Sequence, residues 1–113
     1  MHGFYRQHEH EWEDLGAGIA RRLIGHTPEL MCVLVRFDKG AIGTAHSHLI
    51  HDQIAYVVAG RFEIEVDGVK SILSAGDAYI APKTIHHGAV ALEQDSMLLD
   101  TFSPRREDFL TTV

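Results

Sequence analysis

The chain has 113 residues, 45% of them apolar, which suits one folded domain and is too apolar for a disordered segment. Its net charge is -6 and its longest basic runs are the pairs Arg21-Arg22 and Arg105-Arg106, which argues against a nucleic-acid partner. No apolar run reaches a membrane span, and the opening MHGFYRQHEHEWEDLG lacks the apolar segment of a secretory signal, so the expectation is a cytoplasmic protein without a membrane partner.

In chain order, ELMCVLVRF (29–37) reads as a buried strand closed by the turn Asp38-Lys39-Gly40. The single cysteine, Cys32, lies in this run; it has no partner for an internal disulfide and is expected as a buried core thiol. QIAYVVAG (53–60) is a second strand ending at Gly60. FEIEV (62–66) alternates, with Phe62, Ile64 and Val66 facing in and Glu63 and Glu65 facing out. Asp67-Gly68 suits a two-residue type I′ hairpin turn into VKSILS. Ala75-Gly76-Asp77 turns the chain into AYIAP, and MLLDTF (97–102) is the last strand. Residues 105–113 are expected to add one helical turn or a strand cover. Short strands, glycine turns and no long helical period predict an all-β barrel or sandwich, one domain over 1–113 with its core at about 29–103.

The segment HSHLIHDQ (46–53) collects three histidines, an aspartate and a glutamine. His46 and His48 are two apart, so on an extended strand both point to one face and form a candidate pincer for a transition metal. The alternative is a polar loop with solvated histidines. Of the adjacent pair His86 and His87, only one can face inward from a strand. His2, His8, His10 and His26 have no partner spacing and are expected at the surface.

Counted from the turn glycine, the pattern becomes more specific. Gly40, five residues, His46, one residue, His48, four residues, Gln53, six residues, Gly60 resembles the first motif of the cupin superfamily, with Gln53 where that motif usually has glutamate. Gly76, five residues, Pro82, and then His87 four residues after Lys83 resembles the second, with Thr84 where glycine is usual. The resemblance implies a jelly-roll barrel (a double-stranded β-helix) in which His46, His48, Gln53 and His87 converge on one divalent metal. It selects His87 over His86, puts His51 at the barrel mouth, and implies a homodimer. Three nitrogens and an amide oxygen fit Ni, Mn, Fe, Co or Zn. Replacing a glutamate by Gln53 leaves the site about one charge more positive, which suits an anionic substrate; a tolerated isosteric replacement is the alternative.

EDLGAGIARRLIGH, HGAVALEQDSMLLDTFSP and LLDTFSPRREDFL resemble the KdgF-type cupins, which act on unsaturated uronates released by polysaccharide lyases. That likeness places Asp100, Phe102 and Arg106 around the metal. Asp100 and Phe102 share a strand face in an apolar run, and an inward aspartate needs a partner or a task. Arg106 could clamp a carboxylate with two hydrogen bonds. By residues alone, an outward Asp100 and a surface ion pair for Arg106 are the simpler readings. The implied function is metal-dependent ring opening and tautomerisation of a 4,5-unsaturated uronate to a linear 5-keto-4-deoxyuronate in pectin or alginate breakdown. An iron-dependent cupin dioxygenase, or a non-catalytic sugar or metal binder, is the alternative. The chain's end at Val113, with no appended domain, weighs against a sensor.

Overall fold

The computed structural model describes residues 3–110. Among them are ten strands: β1 (Glu13–Gly16), β2 (Ile19–Thr27), β3 (Leu30–Phe37), β4 (Ile42–His46), β5 (Asp52–Ala59), β6 (Arg61–Val66), β7 (Val69–Ser74), β8 (Ala78–Ala81), β9 (His87–Ala91) and β10 (Ser96–Ser103). One sheet has the order β1-β2-β3-β10-β5-β8 and the other β4-β9-β6-β7. From β3 onward the chain passes back and forth between the sheets, so apart from the β6–β7 hairpin neighbours in sequence do not pair, and the two sheets form opposite walls of the core. This is the all-β jelly roll expected from the sequence.

The core between the sheets is built from the inward halves of alternating strands. Ala55 and Val57 of β5, Phe62 and Ile64 of β6, and Leu98 of β10 are buried together with Phe37. Phe37 and Phe62 meet edge to face with ring centroids 5.1 Å apart. A second cluster of Met31, Val33 and Phe102 carries Leu23, Phe109 and Leu110 at one end of the barrel. The Asp67-Gly68 hairpin has positive φ at both residues, 51° and 78°, as a type I′ turn requires.

Two strands, β1 and β2, were not expected, and β4 and β9 were expected only where they carry histidines. β1, β2, β4 and β9 carry little of the period-two apolar signal. In β2 both faces are partly covered: Leu23 packs under the second core cluster, while Arg22 and Arg36 lay their guanidinium groups on the Trp12 ring at 4.3 and 4.4 Å. In β9 the inward residues after His87 are the small Ala89 and Ala91. The chain is thin here because β4 passes close by, and a Cβ on Gly88 would lie 2.9 Å from the Ala45 backbone.

ELMCVLVRF corrects one expectation. Met31, Val33 and Phe37 face the core, but Cys32 lies on the opposite face of β3, half-buried beside Thr101 at 3.9 Å, and is not a core thiol. The run is apolar on both faces because the outer face of this sheet is itself apolar, so alternation could not show which side Cys32 takes. No helix among the described residues is long and apolar enough to cross a membrane.

Candidate active site

His46 is the last residue of β4 and pairs across the sheet with His87, the first residue of β9. His48 lies two residues further on, in the connection to β5 rather than on the same strand. The shared strand face expected for the two is therefore replaced by a strand end and a loop. The loop is fixed: the Thr84 N–H donates to the His48 carbonyl at 2.7 Å, tying it to the turn before β9. Thr84 has φ 72°, the left-handed conformation for which glycine is usual, so the turn keeps its shape despite a branched side chain. The outcome is a three-histidine group, His46, His48 and His87, whose candidate ligand atoms all lie within 4.8 Å of one another. The neighbouring His86 is exposed.

Hydrogen bonds assign the ring nitrogens. His46 Nδ1 donates to the Thr44 carbonyl at 2.7 Å and His87 Nδ1 to the Ile85 carbonyl at 3.1 Å. A carbonyl only accepts, so Nδ1 carries the proton and Nε2 offers its lone pair in both rings. His87 Nε2 is buried and has no hydrogen-bond partner among the described residues. A buried acceptor facing other imidazoles is what a divalent cation satisfies, and the donor set fits one. Burial lowers the His48 pKa to about 4, with the nearby Arg106, His46 and His87 charges adding to it; His87 is shifted down first by burial too. Both rings are thus neutral at neutral pH, the form that ligates.

Gln53 of β5 is buried beside this group. Its Oε1 lies 3.2 Å from His48 Nε2, and its Nε2 donates to Asp100 Oδ1 at 3.1 Å. Asp100 faces inward on β10 with Leu98 and Phe102, and the outward alternative fails because this face of β10 lines the cavity. Burial raises the Asp100 pKa to about 7 against the lowering effects of Gln53 and Arg106. Phe102 is buried with its ring edge to face on His48, centroids 5.7 Å apart.

Beyond β10 the chain folds over the barrel end. The Arg105 N–H donates to the Pro28 carbonyl, and His51 Nε2 donates to the Arg105 carbonyl at 3.2 Å. This places His51 at the mouth, half-buried against His48 and Phe102. A single 3₁₀ turn follows at Glu107–Phe109, matching the expected helical turn; residues 111–113 lie outside the described residues. Arg106 sits over Phe109 at 4.2 Å and over Phe102 at 5.1 Å. His46, Gln53, His87, Asp100, Phe102 and Arg106 all line one cavity of about 170 Å³.

The lining residues that the sequence reading did not assign to the site include the aromatics Tyr79 and Phe109. Tyr79 is buried with its ring 6.0 Å from that of His87, and Phe109 lines the cavity beside Phe102, ring centroids 5.7 Å apart. The alternation Tyr79–Ala81 in AYIAP could have pointed to the first; nothing local signals the second. Among the histidines expected at the surface, His8 and His10 are exposed, but His26 is half-buried with Nδ1 3.3 Å from Arg105 Nη1. His2 lies outside the described residues.

The facing sheets and the histidines gathered at one barrel end are those of a cupin: the cupin-domain family matches residues 33–102, and the chain belongs to it. It is 56% identical over 110 residues to the pectin degradation protein KdgF of Dickeya dadantii (strain 3937), covering 97% of this chain and 100% of that protein. The structure of KdgF from Halomonas sp. superposes with a TM-score of 0.94 at 55% identity, over 96% of this chain and 99% of that one. An RmlC-like cupin from Shewanella frigidimarina NCIMB 400 superposes at 0.91 with 46% identity, over 96% of each chain.

Proposed function

We propose that the chain is a metal-dependent enzyme of pectin or alginate breakdown that opens the ring of a 4,5-unsaturated uronate monosaccharide to the linear 5-keto-4-deoxyuronate. The observation that carries this reading is one cavity lined by two imidazoles of the His46, His48 and His87 group, the inward Asp100 carboxyl and the Arg106 guanidinium. The likeness to KdgF, named for pectin degradation, supports it.

The reaction is an isomerisation. The C1–O5 bond of the cyclic hemiacetal breaks, the O1 proton leaves, and C1 becomes an aldehyde. O5 takes up a proton as it leaves C1 and becomes an enol on C5, and proton delivery to C4 with loss of that enol proton gives the ketone. Two protons are lost, from O1 and the enol, and two are gained, at O5 and C4, so a single acid-base group that alternately accepts and donates can serve the transfers. Asp100 is assigned that role: burial keeps a fraction of its carboxyl protonated near neutrality, and Gln53 holds one of its oxygens. Arg106 anchors the substrate carboxylate, and Phe102 carries the guanidinium and walls the sugar ring. His46, His48, His87 and Gln53 are assigned as metal ligands; a divalent ion held there supplies Lewis acidity toward the substrate oxygens.

The test is incubation with freshly generated lyase products. Loss of the conjugated-alkene ultraviolet absorbance, faster than the spontaneous rate and without oxygen uptake, is expected; oxygen uptake would favour the dioxygenase reading. We also assign a homodimer, paired through the outer face of the larger sheet. Ile54 and Ile80 stand opposite each other there beside Tyr56, and Ile80 is 64% exposed.

A further inference from the structure

The grip of Asp108 on Arg106 has a geometry that a plain surface ion pair does not need. Arg106 Nε donates to Asp108 Oδ1 at 3.2 Å and Nη2 donates to Oδ2 at 2.7 Å, so one carboxylate takes one edge of the planar group. The guanidinium has five N–H donors, and this contact uses two of them. Among the described residues no hydrogen bond takes the edge formed by Nη1 and the second Nη2 proton, and that edge matches another carboxylate. The two residues also differ in setting. The Arg106 side chain is 18% exposed and lines the cavity, whereas Asp108 is 59% exposed and does not line it. Asp108 therefore holds Arg106 from the solvent side.

The backbone makes the grip local and rigid. The Phe109 N–H donates to the Arg106 carbonyl at 3.2 Å, closing the turn that brings residues 106, 108 and 109 together. Phe109 lies under the guanidinium plane, and Arg21 stacks on the same ring at 4.2 Å. Aromatic contact fixes the plane of the group, and the carboxylate fixes its rotation within that plane.

We propose that Asp108 is a positioning residue that fixes Arg106 so that its unused edge is presented to the carboxylate of a ligand in the cavity. This rests on the reading of Arg106 as a carboxylate anchor, and it excludes the opposite role, in which Asp108 competes with the ligand for the guanidinium.

The test is calorimetric binding of a saturated hexuronate, D-galacturonate, and of its uncharged methyl ester to the protein as purified. Neither probe carries the reacting alkene, so the measurement is independent of turnover. The parent should prefer the acid. Asp108→Asn should weaken the acid by roughly ten-fold, the scale of one charge-assisted contact, and leave the ester within about two-fold. Arg106→Ala should weaken the acid at least as much, and the double variant should be no worse than Arg106→Ala alone. In parallel, the Arg106 Nε–H signal in nitrogen-proton spectra should be slow to exchange in the parent and fast in Asp108→Asn. Four results overturn the proposal: a parent without preference for the acid, equal losses for acid and ester, multiplying losses in the double variant, or tighter acid binding by Asp108→Asn. The functional reading fails separately, if the parent leaves the absorbance of unsaturated uronates unchanged beyond the spontaneous rate.

Discussion

The Gln53 carboxamide donates through Nε2 to Asp100 and turns Oε1 toward His48, so a single amide joins the carboxyl to the histidine group. A glutamate at this position has no proton to donate when ionised and would set two carboxylates face to face at about the present 3.1 Å. The amide is thus accounted for by its neighbour as well as by the charge it leaves on a bound ion.

Gln53→Glu is expected to keep or strengthen metal binding while turnover on the uronate falls by roughly ten-fold or more. Adding Asp100→Asn restores a donor and an acceptor with their places exchanged. The double variant should therefore recover thermal stability lost by Gln53→Glu, about 1–3 kcal/mol, without recovering turnover. Calorimetric melting with parallel assays checks both; full activity in Gln53→Glu would show the amide to be incidental.

His46→Ala should strip most of the bound metal and leave the barrel folded. His46 is exposed at a strand end, outside the apolar core, so its truncation should cost within about 1 kcal/mol in metal-free protein. Elemental analysis of untagged protein and a denaturation curve measure the two effects. Metal retained at the parental level would remove His46 from the ligand set.

Asp100→Asn keeps an oxygen that accepts from Gln53, so the fold, the metal and ligand binding should survive. Turnover should drop by roughly 100-fold or more, the scale for losing an acid-base group. Near-parental turnover would move the proton transfer to another group.

Arg106→Ala should raise KM at least as much as it lowers kcat, because a carboxylate anchor acts partly on the ground state. Steady-state kinetics on an unsaturated uronate read the split. A fall confined to kcat would contradict the anchor.

Tyr56→Glu and Ile80→Lys place charges on the outer apolar face, where the side chains are 46% and 64% exposed. The parent is expected to sediment as a dimer, and both variants as folded monomers at the same concentration. A monomeric parent would leave that face without this role.

Much of the barrel was legible because strand alternation is a local property. Gln53, Ala55 and Val57 face in and Ile54, Tyr56 and Val58 face out whatever the rest of the chain does. The same holds for Phe62 and Ile64 and for the positive-φ turn at Asp67-Gly68. Spacing alone paired only His46 with His48; it was the likeness of the longer spacing to the cupin motifs that made His46, His48, Gln53 and His87 candidates for one site.

Other features belong only to the folded chain. Which face of LMCVLVRF is the core depends on what covers each side, and both sides are apolar, so Cys32 went outward against expectation. Beyond His87, β9 was hidden because its inward positions are alanines, small where β4 comes close. The pairing of His46 with His87 depends on strand register across the smaller sheet, and the contact of Gln53 with Asp100 joins neighbouring strands distant in sequence. Arg106 and Phe109 reach the cavity, and Asp108 reaches Arg106 from the solvent side, because the chain beyond β10 is pinned by Pro28 and His51, residues from two other parts of the chain. Residue order determined the candidate ligand types and the faces of the strands that alternate apolar with polar; the long-range contacts that close the barrel decided the face of β3 and which side chains share the cavity.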